Sequence, residues 1–248
     1  MRIGVMSTYT LQTHDIKYQR VVNLTTPNKM EYVSRYGYIP FIYHTPPSDE
    51  HAGFLRMADL RNLCIDNLGK LDWLFWIDTD AIITNQTIPL TRFIDDDYDL
   101  VIGEDWNGIN VGVFFLKISN DIITFLDSVL SFKSSQEDQE QFTEWWWGSE
   151  QHAIYRLMNT IKTKVEHHSL FNGYVMDPIL KGKEAQNRHD FVPGSMHNDW
   201  RGYVPGPLNP GTWQSRKFQD GDFVLHAAGG NVPYKLDILR QGLQRVIK

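Results

Sequence analysis

Asp72-Trp73-Leu74-Phe75-Trp76-Ile77-Asp78-Thr79-Asp80-Ala81 runs an apolar segment directly into two carboxylates. Five consecutive large apolar residues with no polar alternation predict a strand over Trp73–Ile77 that is buried on both faces. Carboxylates at the end of such a strand are expensive to desolvate unless something neutralises them. On an extended chain, side chains at i and i+2 share one face. Asp78 and Asp80 are therefore expected to reach one hard cation, for which carboxylate oxygens suit Mg²⁺ or Mn²⁺. Taken alone, the pair fits a solvated strand-end turn equally well.

The pattern repeats on either side. Ile3–Ser7 reads as a first buried strand, Ile39–Tyr43 as a second, and Asp99–Gly103 and Val111–Ile118 as two more. Helical character runs over Asn28–Tyr36 and stops at Gly37. It returns over Leu55–Leu68, Asp121–Phe132, Ser149–Met158 (with Ser149 as cap) and Leu236–Ile247. Phe223–His226 is a short late strand. Strand and helix in alternation predict an α/β fold with a largely parallel sheet flanked by helices. Ligands in such sheets sit beyond the carboxyl ends of the strands, where Asp78 and Asp80 fall. Residues 181–218 are rich in Pro, Gly, Asn and Trp and read as one long irregular segment.

Composition narrows the function. The 248 residues carry a net charge of −6, which excludes a basic nucleic-acid footprint. Cys64 is the sole cysteine, which excludes an intrachain disulfide and argues against a Cys-based zinc site. No stretch approaches the ~18 apolar residues of a transmembrane helix, and no signal core opens the chain. A soluble protein is expected.

Three further segments offer chemistry. His226 ends a strand before Ala227-Ala228-Gly229-Gly230, where small residues let a metal or phosphate approach closely. Asn110 stands in Gly108-Ile109-Asn110-Val111-Gly112 and offers an amide to a polyol, or a simple turn. Glu150-Gln151 opens a helix and reads either as a sugar contact or as first-turn residues complementing the helix dipole. A rival use of Asp-x-Asp is the nucleophilic pair of haloacid-dehalogenase-type phosphatases. Ile82 stands here where that pattern has Thr or Val, and the downstream acids would have to come from Asp95-Asp96-Asp97 or Glu104-Asp105.

The order of these segments resembles glycosyltransferase family 34, the galactosyl-, mannosyl- and xyloglucan xylosyltransferase group. The similar stretches are Asn28-Lys29-Met30-Glu31-Tyr32, Trp76-Ile77-Asp78-Thr79-Asp80-Ala81, Asn110-Val111-Gly112, Glu150-Gln151-His152-Ala153, Asn172-Gly173-Tyr174 and Gly221 to Gly229. Arg56 stands where members usually carry Lys, and Glu150 where Asp is usual. The resemblance implies a GT-A fold, Rossmann-like with a mixed, largely parallel sheet, forming one catalytic domain over residues 1–248. About 1–105 would bind the nucleotide sugar and about 106–248 the acceptor.

It implies a metal held by Asp78, Asp80 and His226. The donor would lie against Ser7, Thr8, Tyr9, Arg56, Arg61, Asp78, Asn110 and Gly229, and the donor base would be UDP in preference to GDP. The acceptor would be a glycan. Retention of anomeric configuration is the family's outcome, with Gln151 beside the sugar and Glu150 or Asp105 as alternative nucleophiles. Trp145-Trp146-Trp147, Trp200, Tyr203 and Trp213 are candidate acceptor contacts or packing residues. A non-catalytic nucleotide-sugar binder keeps the same motifs. Eukaryotic members carry a membrane anchor and stem, so either a cytoplasmic bacterial or viral relative or a trimmed catalytic domain is expected.

Overall fold

A computed structural model describes residues 1–10, 16–45, 52–105, 108–132, 149–166, 173–174, 220–227 and 232–248. The elements are β1 (Ile3–Thr10), α1 (Ile16–Tyr36), β2 (Ile39–Thr45), α2 (Ala52–Asp66), β3 (Trp73–Ile77), β4 (Ala81–Ile83), β5 (Leu100–Asp105), β6 (Gly108–Lys117), α3 (Asn120–Ser131), α4 (Glu150–Leu157), β7 (Thr163–Glu166), β8 (Gly173–Tyr174), β9 (Val224–His226) and α5 (Val232–Leu243).

Six strands form the main sheet in the order β2-β1-β3-β6-β5-β7. β1 is parallel to β2 and β3, and β5 is parallel to β7. β6 runs antiparallel between β3 and β5, so the sheet is mixed and largely parallel, as expected. A second sheet, β4-β9-β8, stands beside it.

All five β3 residues are buried, as the unbroken apolar run requires. Their side chains alternate between two cores. Leu74 and Trp76 join Met57, Leu60, Phe125 and Ile154 on the side covered by α2, α3 and α4. Trp73, Phe75 and Ile77 join Tyr32, Phe115 and Phe223 on the other. A third cluster packs Val21 of α1, Ile82, Leu225 and α5 together. Ser119 and Ser149 cap α3 and α4 by accepting from Ile122 N and His152 N, both at 3.2 Å. Gly37 takes a positive φ of 67° where α1 ends, the conformation that made it a good stop signal.

Two elements depart from expectation. α1 begins at Ile16 and carries Pro27 inside it, whereas the sequence predicts a helix only from Asn28. Its buried face is Val21, Val22, Thr25, Asn28, Lys29, Tyr32 and Val33. Three polar residues on that face break the apolar period, and a mid-helix proline is ordinarily a boundary. The last helix spans Val232–Leu243, four residues earlier than predicted. The chain end is drawn away by a bridge from Ile247 to Asn85, with Ile247 N donating to Thr84 O at 2.8 Å and Gln86 N donating to Ile247 O at 2.8 Å. The predicted loop at 45–48 and the long segment 181–218 fall, apart from Thr45, outside the described residues.

The polar face of α1 holds the segment that follows β3. Asn28 Nδ2 donates to Ile83 O at 2.9 Å, and Ile83 N donates back to Asn28 Oδ1 at 2.7 Å. Tyr32 OH donates to Ile88 O at 2.6 Å, and Tyr36 OH donates to Gln86 O at 3.0 Å. Asn28→Ala strips both buried partners from Ile83. It should lower unfolding free energy by roughly 2–4 kcal/mol, measured by urea denaturation.

Candidate metal centre and donor site

β3 ends at Ile77, and the chain turns at once. Ala81 N donates to Asp78 O at 3.1 Å, closing a tight turn over Asp78–Asp80. The two carboxylates therefore converge through a turn, not along an extended strand as the i, i+2 argument supposed. α1 fixes that turn from below. Thr25 Oγ1 donates to Thr79 O at 2.7 Å, and Lys29 Nζ donates to Asp78 O at 2.9 Å, to Thr79 O at 3.2 Å and to Ser7 Oγ at 3.2 Å. Thr79 Oγ1 donates to Thr8 O at 3.1 Å, tying the turn to β1. Burial pushes the Lys29 amine down to about 7, against the pull of Asp80 and Asp78.

β6 contributes through an irregularity. Ile102 pairs with Phe114 but Gly103 pairs with Asn110, so residues 111–113 of β6 have no partner on β5. The bulged stretch stays on β3 instead, where Val113 pairs with Ile77 and Gly112 O accepts from Asp78 N at 2.7 Å. Asn110 Oδ1 accepts from Gly112 N at 2.8 Å, which holds the bulge.

The second sheet delivers His226. β9 pairs antiparallel with β4, setting His226 opposite Ala81, and Ala227 N donates to Asp80 O at 2.9 Å. His226 Nε2 then lies 3.3 Å from Asp80 Oδ1 and 3.7 Å from Asp78 Oδ2. One ligand atom from each of Asp78, Asp80 and His226 falls within 4.8 Å of the others. Two carboxylate oxygens and an imidazole nitrogen suit a divalent Mn²⁺ or Mg²⁺ centre. The cradle is shaped for that ring: a Cβ on Gly112 would run into His226 and Asn110 Oδ1. The three predicted metal ligands, distant in sequence, are thus brought together.

Each carboxylate is also gripped on its other oxygen. Asp78 Oδ1 accepts from Arg56 Nη1 at 2.7 Å and from Trp76 Nε1 at 2.9 Å. Asp80 Oδ2 accepts from Lys235 Nζ at 2.5 Å, and Lys235 also donates to Ala227 O at 2.7 Å. Burial would raise the Asp80 carboxyl, but the Lys235 ammonium and the His226 hydrogen bond outweigh it and hold it well below the usual range. Arg56 gives its other terminal nitrogen to Glu150 Oε1 at 2.6 Å. Burial works against its charge, and Asp78 and Glu150 more than restore it. Glu150 comes this close because α2 has glycine at position 53, where a Cβ would strike its carboxylate.

The remaining expected residues divide. Gln151 follows Glu150 on α4, and its Oε1 accepts from Val111 N at 3.5 Å, which brings it to the bulge. Ser7 and Thr8 are buried beneath the turn, Ser7 accepting from Lys29. Tyr9 lies at the end of β1, with its OH bonded to His44 Nε2 and 3.3 Å from Gln19 Oε1. Arg61 is not brought to the cluster: it pairs with Asp127 of α3 at 2.7 Å on the exposed side of α2. Five residues beyond Arg56, it faces another way around the helix. The Asp105 side chain, Gly229, Trp145–Trp147, Trp200, Tyr203 and Trp213 lie outside the described residues. Sequence reasoning missed Lys235 altogether. A lysine in a helix ordinarily reads as solvated, and its target is 155 positions away.

Two outcomes follow from this packing. Gly112→Ala should displace the His226 ring, lowering stability by about 1–3 kcal/mol and weakening Mn²⁺ binding, both readable by thermal melts with and without metal. Asp80→Asn leaves Lys235 buried beside a neutral amide and should cost about 3–5 kcal/mol at pH 7. Because the folded Asp80 carboxyl titrates below its unfolded value of ~3.9, its stabilisation is complete above that value. It is lost as pH falls through the folded value. The wild type and Asp80→Asn should therefore converge in stability on acidification, checked by denaturation between pH 7 and pH 2.

The family model of the galactosyl transferase GMA12/MNN10 family matches residues 93–236, more than half of the chain. That stretch includes Asn110, Glu150, Gln151, His226 and Lys235. Asp78 and Asp80 precede it and join it in space. Probable glycosyltransferase 6 of Oryza sativa subsp. indica is 23% identical, over 66% of this chain and 44% of its own length. Galactomannan galactosyltransferase 1 of Cyamopsis tetragonoloba is 27% identical, over 39% of this chain and 22% of its own. Xyloglucan 6-xylosyltransferase 1 of Arabidopsis thaliana is 29% identical, over 41% and 24%. The chain spans under half the length of each of these relatives. Among solved structures, a glycosyltransferase involved in glycosylation of the major capsid of PBCV-1 superposes with a TM-score of 0.63. It is 15% identical, over 97% of this chain and 100% of its own. The galactosyltransferase LgtC gives 0.52 at 12% identity, over 96% and 95%. The fold is of GT-A type, and the dehalogenase-type reading of Asp78 is set aside. Among the described residues no helix is long and apolar enough to cross a membrane. The chain belongs to the galactosyl transferase GMA12/MNN10 family, glycosyltransferase family 34.

Proposed function

We propose that the protein is a retaining, metal-dependent glycosyltransferase that moves a hexose or pentose from a nucleotide sugar, UDP-linked in preference to GDP-linked, to a glycan acceptor. The convergence of one ligand atom from each of Asp78, Asp80 and His226 within 4.8 Å carries this reading. Family membership and the galactosyl- and xylosyltransferase relatives support it. Residues 1–105 would form the donor half and 106–248 the acceptor half of one catalytic domain.

Asp78, Asp80 and His226 would hold Mn²⁺ or Mg²⁺. When bound, the ion supplies Lewis-acid charge to the departing diphosphate. The chain's own residues do the positioning. Lys29 and Thr25 keep the Asp78–Asp80 turn closed, and the Gly112 bulge gives the His226 ring its room. Tyr9, at the end of β1, would face the nucleotide. Gln151 at the head of α4 would lie beside the sugar.

An amide is a poor nucleophile, and Glu150 is bound to Arg56 in a buried ion pair. Both observations favour front-face transfer, in which the leaving phosphate takes the acceptor's proton, over double displacement through a glycosyl-enzyme. Arg56 serves this arrangement by fixing Asp78 and Glu150 together, one on each terminal nitrogen.

A panel of sugar nucleotides tests the reading. Incubated with Mn²⁺, Mg²⁺ or EDTA, the protein should release nucleoside diphosphate from one UDP-sugar, and EDTA should abolish release. NMR of the product should show the α linkage of the α donor kept. A β linkage would overturn retention. A covalent sugar trapped on Glu150 or Asp105, detected by intact-mass analysis, would overturn the front-face course.

A further inference from the structure

We infer that Lys235 is a built-in counter-cation of the metal centre, and that it weakens metal binding until an anionic diphosphate arrives. The inference rests on the metal-site reading above and adds a regulating residue to it.

Asp80 has two carboxylate oxygens, and the structure divides them. Oδ1 faces His226 Nε2 at 3.3 Å, inside the cluster, while Oδ2 accepts from Lys235 Nζ at 2.5 Å. Lys235 is itself fixed by Ala227 O at 2.7 Å, at the end of the strand that carries His226. Both side chains of the pair are 9% exposed, so solvent screens their interaction little. Asp80 is thereby limited to one ligand oxygen.

The sign of the effect follows from the chemistry. Outer groups that tighten a metal centre usually accept a hydrogen bond from a ligating imidazole and raise its basicity. An ammonium on a ligating carboxylate does the reverse. It draws electron density from the oxygen and repels the incoming divalent ion. Asp78 is treated alike, since Arg56 and Trp76 hold its Oδ1. Around the two ligating aspartates and Glu150 stand the cations Arg56 and Lys235, with the buried Lys29 amine beneath the turn. The centre without a metal is close to charge-balanced, and a divalent ion alone leaves it over-positive. A diphosphate removes that excess. Ion and diphosphate are then held together and released together.

The test is direct metal binding, which needs no turnover. Mn²⁺ affinity is measured by isothermal titration calorimetry or by EPR of the free ion, in the wild type, Lys235→Gln, Lys235→Arg and Asp80→Asn. Lys235→Gln keeps a donor and removes the charge. It should bind Mn²⁺ about tenfold more tightly than the wild type, and Lys235→Arg should stay close to the wild type. Mn²⁺ should also raise the Tm of Lys235→Gln more than that of the wild type. If Lys235→Gln does not fold, Lys235→Met is measured in its place with the same expectation.

Binding by the neutral variant that is equal to or weaker than wild-type binding overturns the inference. Failure of Mn²⁺ to bind Lys235→Gln and the wild type alike, with or without added UDP, or unchanged binding in Asp80→Asn, would instead overturn the metal-site reading itself. The two failures are therefore distinguishable.

Discussion

Two carboxylates stand at the end of a strand buried on both faces, and most of the structure around them answers that one electrostatic constraint. An ionised aspartate in such a place must be matched by cations and hydrogen-bond donors or be neutralised. Asp80 meets Lys235 and His226, and Asp78 meets Arg56 and Trp76. Each partner comes from a different element: α5, β9, α2 and β3 itself. Satisfying the charges therefore fixes where those elements sit. Glu150 extends the network to α4 through Arg56.

Hydrogen bonding by backbone carbonyls is the quieter half of that arrangement. The tight turn after β3 exposes Asp78 O and Thr79 O toward α1, which answers with Lys29 and Thr25. A buried lysine amine is costly by desolvation, and here three acceptors surround it. The polar stripe on α1 is a consequence of what lies under the site.

Much of this was legible from the chain. The apolar run of β3 announces a strand buried on both faces, and its neighbours announce an α/β sheet. The ordered motifs pair Asp78 and Asp80 with His226 correctly. What could not be read has physical causes. α1 hides its first three turns because Thr25, Asn28 and Lys29 interrupt the hydrophobic period and Pro27 looks like a boundary. β6 runs antiparallel because of a pairing choice that periodicity does not carry. Lys235 looks like any surface lysine, and only three-dimensional proximity distinguishes it from Arg61, a residue that sequence reasoning favoured and that faces Asp127 instead.

The strand pairing of β4 with β9 and the bridge of Ile247 to Asn85 join the middle of the chain to its end. The Lys235–Asp80 contact closes a separation of 155 positions. Contacts of such long range form late in folding, because loop closure comes before their reward. During synthesis, a ribosome-held chain that has already folded β1, β2 and β3 has both aspartates in place but neither His226 nor Lys235. Nascent chains of this protein thus cannot bring Asp78, Asp80 and His226 together, or close the Lys235 contact, until residues 226 and 235 have left the ribosome. The timing of competence is written into the order of its strands.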